Sequence, residues 1–228
     1  MAFKKGLFKT SVARKNMMAI TGLFIIFFLV IHLAGNLILV LPDSFFPIEF
    51  WGNVANQHDM YNAYSHFLVH FWVITLIAYV LYFAIILHVI DALLITLNNR
   101  KAKGEKYAVT DNSTSSWYSR NMGILGSIIG IFIVIHMAQF WLQYKVLKIE
   151  HDLYNLVLAT MKQWWFVVIY EVGIIALGFH IVHGIESAHR SLGIYPKKVM
   201  HVIKYIALCF GLLMAVLYAI IPIILYFK

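Results

Sequence analysis

Charge is what this sequence has least of. Only 12% of its 228 residues are Asp, Glu, Lys or Arg, against 62% hydrophobic, and the mean hydropathy is +0.80. That balance lies outside the range of soluble domains and inside that of polytopic membrane proteins. Cysteine is nearly missing too. The one thiol, Cys209, lies in an apolar run, so there is no disulfide framework, and no CxxCH occurs to attach a haem covalently. The basic stretch MAFKKGLFKTSVARK lacks a cleavable signal pattern and reads as a retained cytoplasmic segment. No loop has room for a separate soluble domain, so 1–228 reads as one transmembrane domain. The net charge of +8 suggests nucleic acid only until the charges are located, and they fall in loops on one side of a membrane.

Five stretches, near 17–41, 67–97, 121–144, 164–188 and 202–226, are long enough to cross a ~30 Å hydrocarbon core at roughly 1.5 Å per residue. Pro42 and Pro47 close the first; Asn98, Asn99 and the run RKAKGEK close the second. Of the 18 Lys and Arg residues, 14 fall on one side: Lys4, Lys5, Lys9, Arg14, Lys15, Arg100, Lys101, Lys103, Lys106, Arg120, Arg190, Lys197, Lys198 and Lys204. The other side holds Lys145, Lys148, Lys162 and Lys228 together with Asp43, Glu49, Asp59, Glu150 and Asp152. The positive-inside rule then puts the N-terminus in the cytoplasm and the C-terminus outside. Trp51, Trp141, Trp164 and Trp165 fall near the outer boundary, where an aromatic belt is expected. The basic inner face suits a partner with an acidic surface.

Histidine is what the apolar stretches do contain, and it recurs in a pattern. Gly22 to Ala34 reads GLFIIFFLVIHLA and Gly126 to Ala138 reads GSIIGIFIVIHMA; around His88 the chain reads LHVIDALL and around His180 FHIVHGIE. The order is motif one, motif two, motif one, motif two. An intramembrane histidine is uncommon and functional by default. His32 and His136 each lie about eight or nine residues from the outer ends of the first and third segments, roughly 12–14 Å deep. His88 and His180 lie at a similar depth from the inner ends of the second and fourth. Two levels with two facing imidazoles each suit two bis-histidine haems in a four-helix bundle, non-covalent and therefore of b type. Two axial imidazoles leave no open position on the iron, so the chemistry is electron transfer. Zinc is disfavoured, because it takes three or four protein ligands.

Gly22 and Gly126 precede their histidines by ten residues, about 15 Å along a helix, which puts them level with the inner pair and leaves room for a porphyrin edge. Gly184 and Ala92, four residues after His180 and His88, do the same locally; ordinary small-residue helix packing is the other use of such positions. His183 competes with His180. The repeat aligns His180 with His88 and His183 with Asp91, and Gly173, His180 and Gly184 share a face that offers a flat approach. His183 and Asp91 then fall one turn nearer the cytoplasm, placed for hydrogen bonds to propionates or neighbouring groups. His58, His66, His70 and His151 near the outer interface, and His189 and His201 near the inner one, read as wet interfacial residues. Among the acids within the segments, Asp91 and Glu186 lie near the inner interface, whereas Glu171 lies in the outer half beside the expected outer haem.

On these motifs the chain resembles the dihaem cytochrome b subunit of succinate dehydrogenases and fumarate reductases, in the single-chain, five-helix form. The resemblance covers nearly the whole chain: helix count, topology and the four histidine positions. It implies that His32 and His136 hold the haem far from the cytoplasm and His88 and His180 the near one, in a bundle of helices 1–4 with helix 5 packed outside. It also implies a flavoprotein subunit and an iron–sulfur subunit on the cytoplasmic face, a quinone pool as membrane partner and a bacterial cytoplasmic membrane. With electrons crossing both haems, quinone chemistry belongs near the outer one, where Glu171, Glu49 and Asp59 are the available carboxylates; the rival position is the cytoplasmic end near Ser11, Arg14 and Lys15. A cytochrome b anchor of a hydrogenase or formate dehydrogenase is the alternative within electron transfer. A proton-coupled transporter using buried histidines and carboxylates is the alternative outside it.

Overall fold

A computed structural model describes residues 10–45, 56–102, 116–149, 151–194 and 199–228. Lys4, Lys5, Lys9, Pro47, Glu49, Trp51, Lys103, Lys106, Glu150, Lys197 and Lys198 therefore lie outside the described residues. Among those described the chain is helical, without a strand: α1 Ser11–Leu37, α2 Gln57–His70, α3 Trp72–Ala102, α4 Trp117–Arg120, α5 Met122–His136, α6 Leu153–Met161, α7 Trp164–Ser191 and α8 Met200–Phe227. Five helical stretches are long and apolar enough to cross a membrane: Val12–Leu37, Trp72–Asn99, Met122–Val146, Trp164–Ser191 and Met200–Phe227. Helices satisfy their own backbone groups, which hydrocarbon cannot do for them. Where helices start, the chain supplies caps. The side chains of Thr10, Asn56, Ser116 and Asp152 accept from the backbone N–H three residues on, of Ala13, Asp59, Ser119 and Asn155.

The second span differs from its expected start near residue 67. Phe71, at φ −76° and ψ 113°, is extended, so α2 stops there and a new helix begins at Trp72. The apolar run FLVHFW hides this break in the sequence. The stretch 145–163 is also more than a loop, because it contains α6. After His136 the third span continues as a π-helix over Met137–Val146, a rare geometry that favours functional positions.

Successive spans alternate in direction. α3 packs on α1, α5 on α7, and α1 on α7, while α3 and α5 meet only sparsely. The four thus form a ring in which α1 stands opposite α5 and α3 opposite α7. α8 packs outside that ring, mainly on α7 and also on α1 and α6. α7 is the most buried span and α5 the least, and outward residues such as Phe27, Tyr79, Phe83, Val134 and Leu212 form the apolar surface that lipid would cover. The α7–α8 seam depends on small residues. A Cβ on Gly211 would come within 2.5 Å of Val182 Cγ2 and 3.1 Å of the Gly178 carbonyl oxygen. Close approach of this kind supplies van der Waals contact between spans, where no hydrophobic drive exists.

At the end opposite most of the basic residues, α2 and α6 form a cap. His58 Nε2 lies 2.7 Å from Asp152 Oδ2, and Asn62 donates to Asp152 Oδ1 at 2.9 Å. Beneath them the ammonium group of Lys228 donates to buried Gln57 and to the Tyr154 hydroxyl, tying the end of α8 to both cap helices. Burial raises the Asp152 carboxyl, but hydrogen bonds from the Asn155 backbone, Asn62 and His58 outweigh it and bring the group down to about 2. The same contact with Asp152, and then Asp59, raises His58 above its usual 6.5.

Two predictions follow from this packing. Gly211→Ala forces α7 and α8 apart and lowers thermal stability in detergent, by about 1–3 kcal/mol as for other overpacked positions; an unchanged melting temperature would contradict the close seam. The stabilisation from Asp152 is present above its ordinary 3.8 and is lost as pH falls toward 2; that from His58 is present below 6.5 and is lost as pH rises past its elevated value. Amide exchange across Gln57–His70, corrected for intrinsic pH dependence, should therefore be slowest between those values, with Asp152→Asn abolishing the minimum. The effect is modest, below about 1 kcal/mol, because both groups are partly solvated.

Candidate functional site

The four histidines of the repeated motifs come together as two pairs across the ring. His32 on α1 faces His136 on α5, with ring centroids 5.7 Å apart at an interplanar angle of 88°. His88 on α3 faces His180 on α7, at 6.1 Å and 66°. Each pair joins opposite helices, which brings both rings toward the bundle axis. None of the four is exposed. The pairs stand at different levels. Gly22, ten residues before His32, lies against His88, where an added Cβ would come 3.2 Å from Cε1; Gly126, ten residues before His136, lies 3.9 Å by the same measure from His180 Cε1. Ten helical residues correspond to about 15 Å between levels.

The surroundings of the two pairs differ. The outer pair is lined by aromatics: Phe28 stacks on His32 at 5.3 Å, and Phe132 and Phe140 lie 5.8 and 5.4 Å from His136. The Tyr170 hydroxyl is 3.1 Å from His136 Nδ1, and the Tyr218 hydroxyl donates to the Leu29 carbonyl at 2.7 Å. At the inner pair the Thr21 hydroxyl is 3.2 Å from His88 Nδ1, while His180 Nδ1 is buried without a hydrogen-bond partner. Thr21 and Tyr170, both buried, are site residues the motifs did not reveal. Comparing the two repeats more closely would have flagged Thr21, since Leu125 stands at its counterpart.

The remaining candidates separate. His180 faces His88, whereas the His183 ring lies against Tyr118, at 6.3 Å. Gly184 has open space where a side chain would be. Gly173, expected to leave an open face, is instead filled by the Phe132 ring, with Cγ at 2.6 Å from the Cβ position. Glu171 Oε1 is buried with no hydrogen-bond partner. Glu186 is engaged: it accepts from the Tyr118 hydroxyl at 3.1 Å and pairs with Arg190 at 3.5 Å, at the back of a cleft of about 240 Å³ also lined by Val182, His201, Lys204, Tyr205 and Leu208. His66 and His70 stack on each other at 3.9 Å, and His189 Nδ1 lies 2.8 Å from the Ile185 carbonyl.

Chemically, each pair offers two imidazoles and no third ligand. Among the described residues no group of three or more His, Cys, Asp or Glu is arranged to hold a metal ion. A bare metal ion would find an incomplete shell at either level. Two imidazoles would instead suit a metal that brings most of its ligands with it. No family model, no curated protein and no solved structure matches the chain.

Proposed function

We propose that this chain is a dihaem cytochrome b membrane anchor of the succinate dehydrogenase and fumarate reductase type, carrying electrons between a cytoplasmic iron–sulfur subunit and membrane quinone. The observation that carries the reading is the pairing of the four histidines of the repeat, two and two, across a ring of spans. The spacing fits the group. Two imidazoles bound to one metal at about 2 Å would have ring centroids roughly 6 Å apart, and the two pairs measure 5.7 and 6.1 Å. The missing side chains at Gly22 and Gly126, beside His88 and His180, relieve crowding where a porphyrin edge has to pass.

In this reading His32 and His136 hold the outer haem and His88 and His180 the inner one. The haem supplies reversible one-electron transfer. The two imidazoles of each pair would hold one such group at each of two depths and would leave neither substrate nor oxygen access to its metal, while apolar and aromatic side chains would exclude water. The partners are a flavoprotein subunit and an iron–sulfur subunit on the basic face, with the N-terminus in the cytoplasm of a bacterial cell and the C-terminus outside. Quinone oxidation or reduction also moves protons. Glu171, whose buried oxygen has no hydrogen-bond partner, is the carboxylate this reading assigns to take or give one near the outer level. The same anchor could serve a hydrogenase or formate dehydrogenase, and identifying the copurifying subunits decides between these complexes. A proton-coupled transporter is less well supported, because Glu186 is committed to Tyr118 and Arg190 rather than free to relay.

Replacing His32 or His136 with Ala should remove the outer haem and leave the inner one, since each pair serves one level; retention of both haem signals in His32→Ala would overturn the assignment. At the inner level His180→Ala should abolish the haem, whereas His183→Ala keeps a bis-histidine spectrum with a shifted potential. The reverse result would reassign the ligand. For Glu171→Gln the expected outcome is slower quinone turnover with both haems bound, and full turnover in that variant would exclude Glu171 from proton transfer.

A further inference from the structure

Among the described residues, one histidine of each facing pair is held through a ring nitrogen by a side-chain hydroxyl and the other is not. Thr21 Oγ1 lies 3.2 Å from His88 Nδ1 and also 2.8 and 3.2 Å from the Met17 and Met18 carbonyl oxygens. A hydroxyl has one proton. Directed at those carbonyls, it leaves the oxygen as an acceptor toward His88, so Nδ1 carries the ring proton and Nε2 the lone pair. Thr21 precedes Gly22, whose missing side chain admits the same ring; the dipeptide is a seat for His88. The counterpart in the second repeat is Leu125–Gly126. The space is there, the hydroxyl is not, and His180 Nδ1 is correspondingly without a partner.

The outer pair shows the same asymmetry with a different residue. Tyr170 on α7 reaches His136 Nδ1 at 3.1 Å, held between Phe132 at 5.0 Å and Phe140 at 6.4 Å. Aligning His180 with His88 places Ala78 of α3 at the position of Tyr170. Ala78 has no hydroxyl, and no side-chain hydrogen bond to His32 occurs among the described residues. Thus each half of the repeat supplies one hydroxyl, and each level has one supported and one unsupported ring.

We infer that Thr21 and Tyr170 are positioning residues that orient His88 and His136 through Nδ1 and set the two haem potentials independently. The inference rests on the dihaem reading. A hydrogen bond accepted from Nδ1–H makes the imidazole a stronger donor at its other nitrogen. That favours the oxidised iron and lowers the potential, so each hydroxyl holds down the potential of the haem at its own level.

The test is a redox titration of the purified complex, each midpoint assigned to its level with the single-histidine variants. Thr21→Val should raise the inner midpoint and leave the outer one in place, with Thr21→Ser returning the wild-type value. Tyr170→Phe should raise the outer midpoint alone. If Thr21→Val loses the inner haem and Thr21→Ser retains it, the hydroxyl is again shown to seat His88. A wild-type protein without haem bands overturns the dihaem reading and the inference with it. A dihaem wild type whose midpoints move in neither variant, or move at the opposite level, overturns the inference alone.

Discussion

An imidazole buried between apolar helices has to find partners for its ring nitrogens within the protein, because no water is at hand. Leaving one unsatisfied costs about 1–3 kcal/mol. Four such rings are concentrated here in two places, and much of the bundle's detail answers that cost. Opposite helices bring the rings together in two edge-on pairs. Glycines at two positions on α1 and α5 clear the space beside the inner rings. Two hydroxyls, from helices other than those bearing the rings they serve, take one ring nitrogen at each level. The buried Nδ1 of His180 has no such partner.

The other elements support this arrangement from outside. α7 carries His180, Tyr170 and Glu171 and is the most buried span; α8 fixes it through the Gly178–Gly211 contact, and Tyr218 of α8 bonds to the α1 backbone at Leu29. The cap of α2 and α6 closes one end of the bundle. Its polar contacts converge on Asp152, Gln57 and Tyr154, and the end of α8 is tied into them through Lys228. α3 and α5, by contrast, touch little of one another. The ring of helices therefore has one loose seam, between α3 and α5.

Much of this was legible in the sequence because it rests on long-range periodicity. Span length and apolar character place five helices, and the repeated glycine–histidine interval puts Gly22 and Gly126 level with the other pair. Shorter signals were lost. α2 is too short and too polar, and α6 too short, to register as spans, and the extended residue Phe71 is invisible inside FLVHFW. Nothing in the residues after His136 announces a π-helix. Gly173 reads as an opening, yet Phe132 fills it, since sequence spacing gives the face of a glycine but not the ring that an opposing helix sends there. Tyr170 and Thr21 were missed for a related reason: one hydroxyl on an apolar helix breaks no period, and its partner lies 34 or 67 positions away.

The central claim is that each facing pair holds one haem iron. Its most direct test is the haem content of the purified chain, measured as the reduced pyridine complex against protein concentration, together with a reduced-minus-oxidised spectrum. The account predicts two non-covalent b haems per chain, both low-spin and six-coordinate and both unreactive toward carbon monoxide. A chain that folds and carries no haem, or one whose haem binds carbon monoxide at an open position, would contradict it.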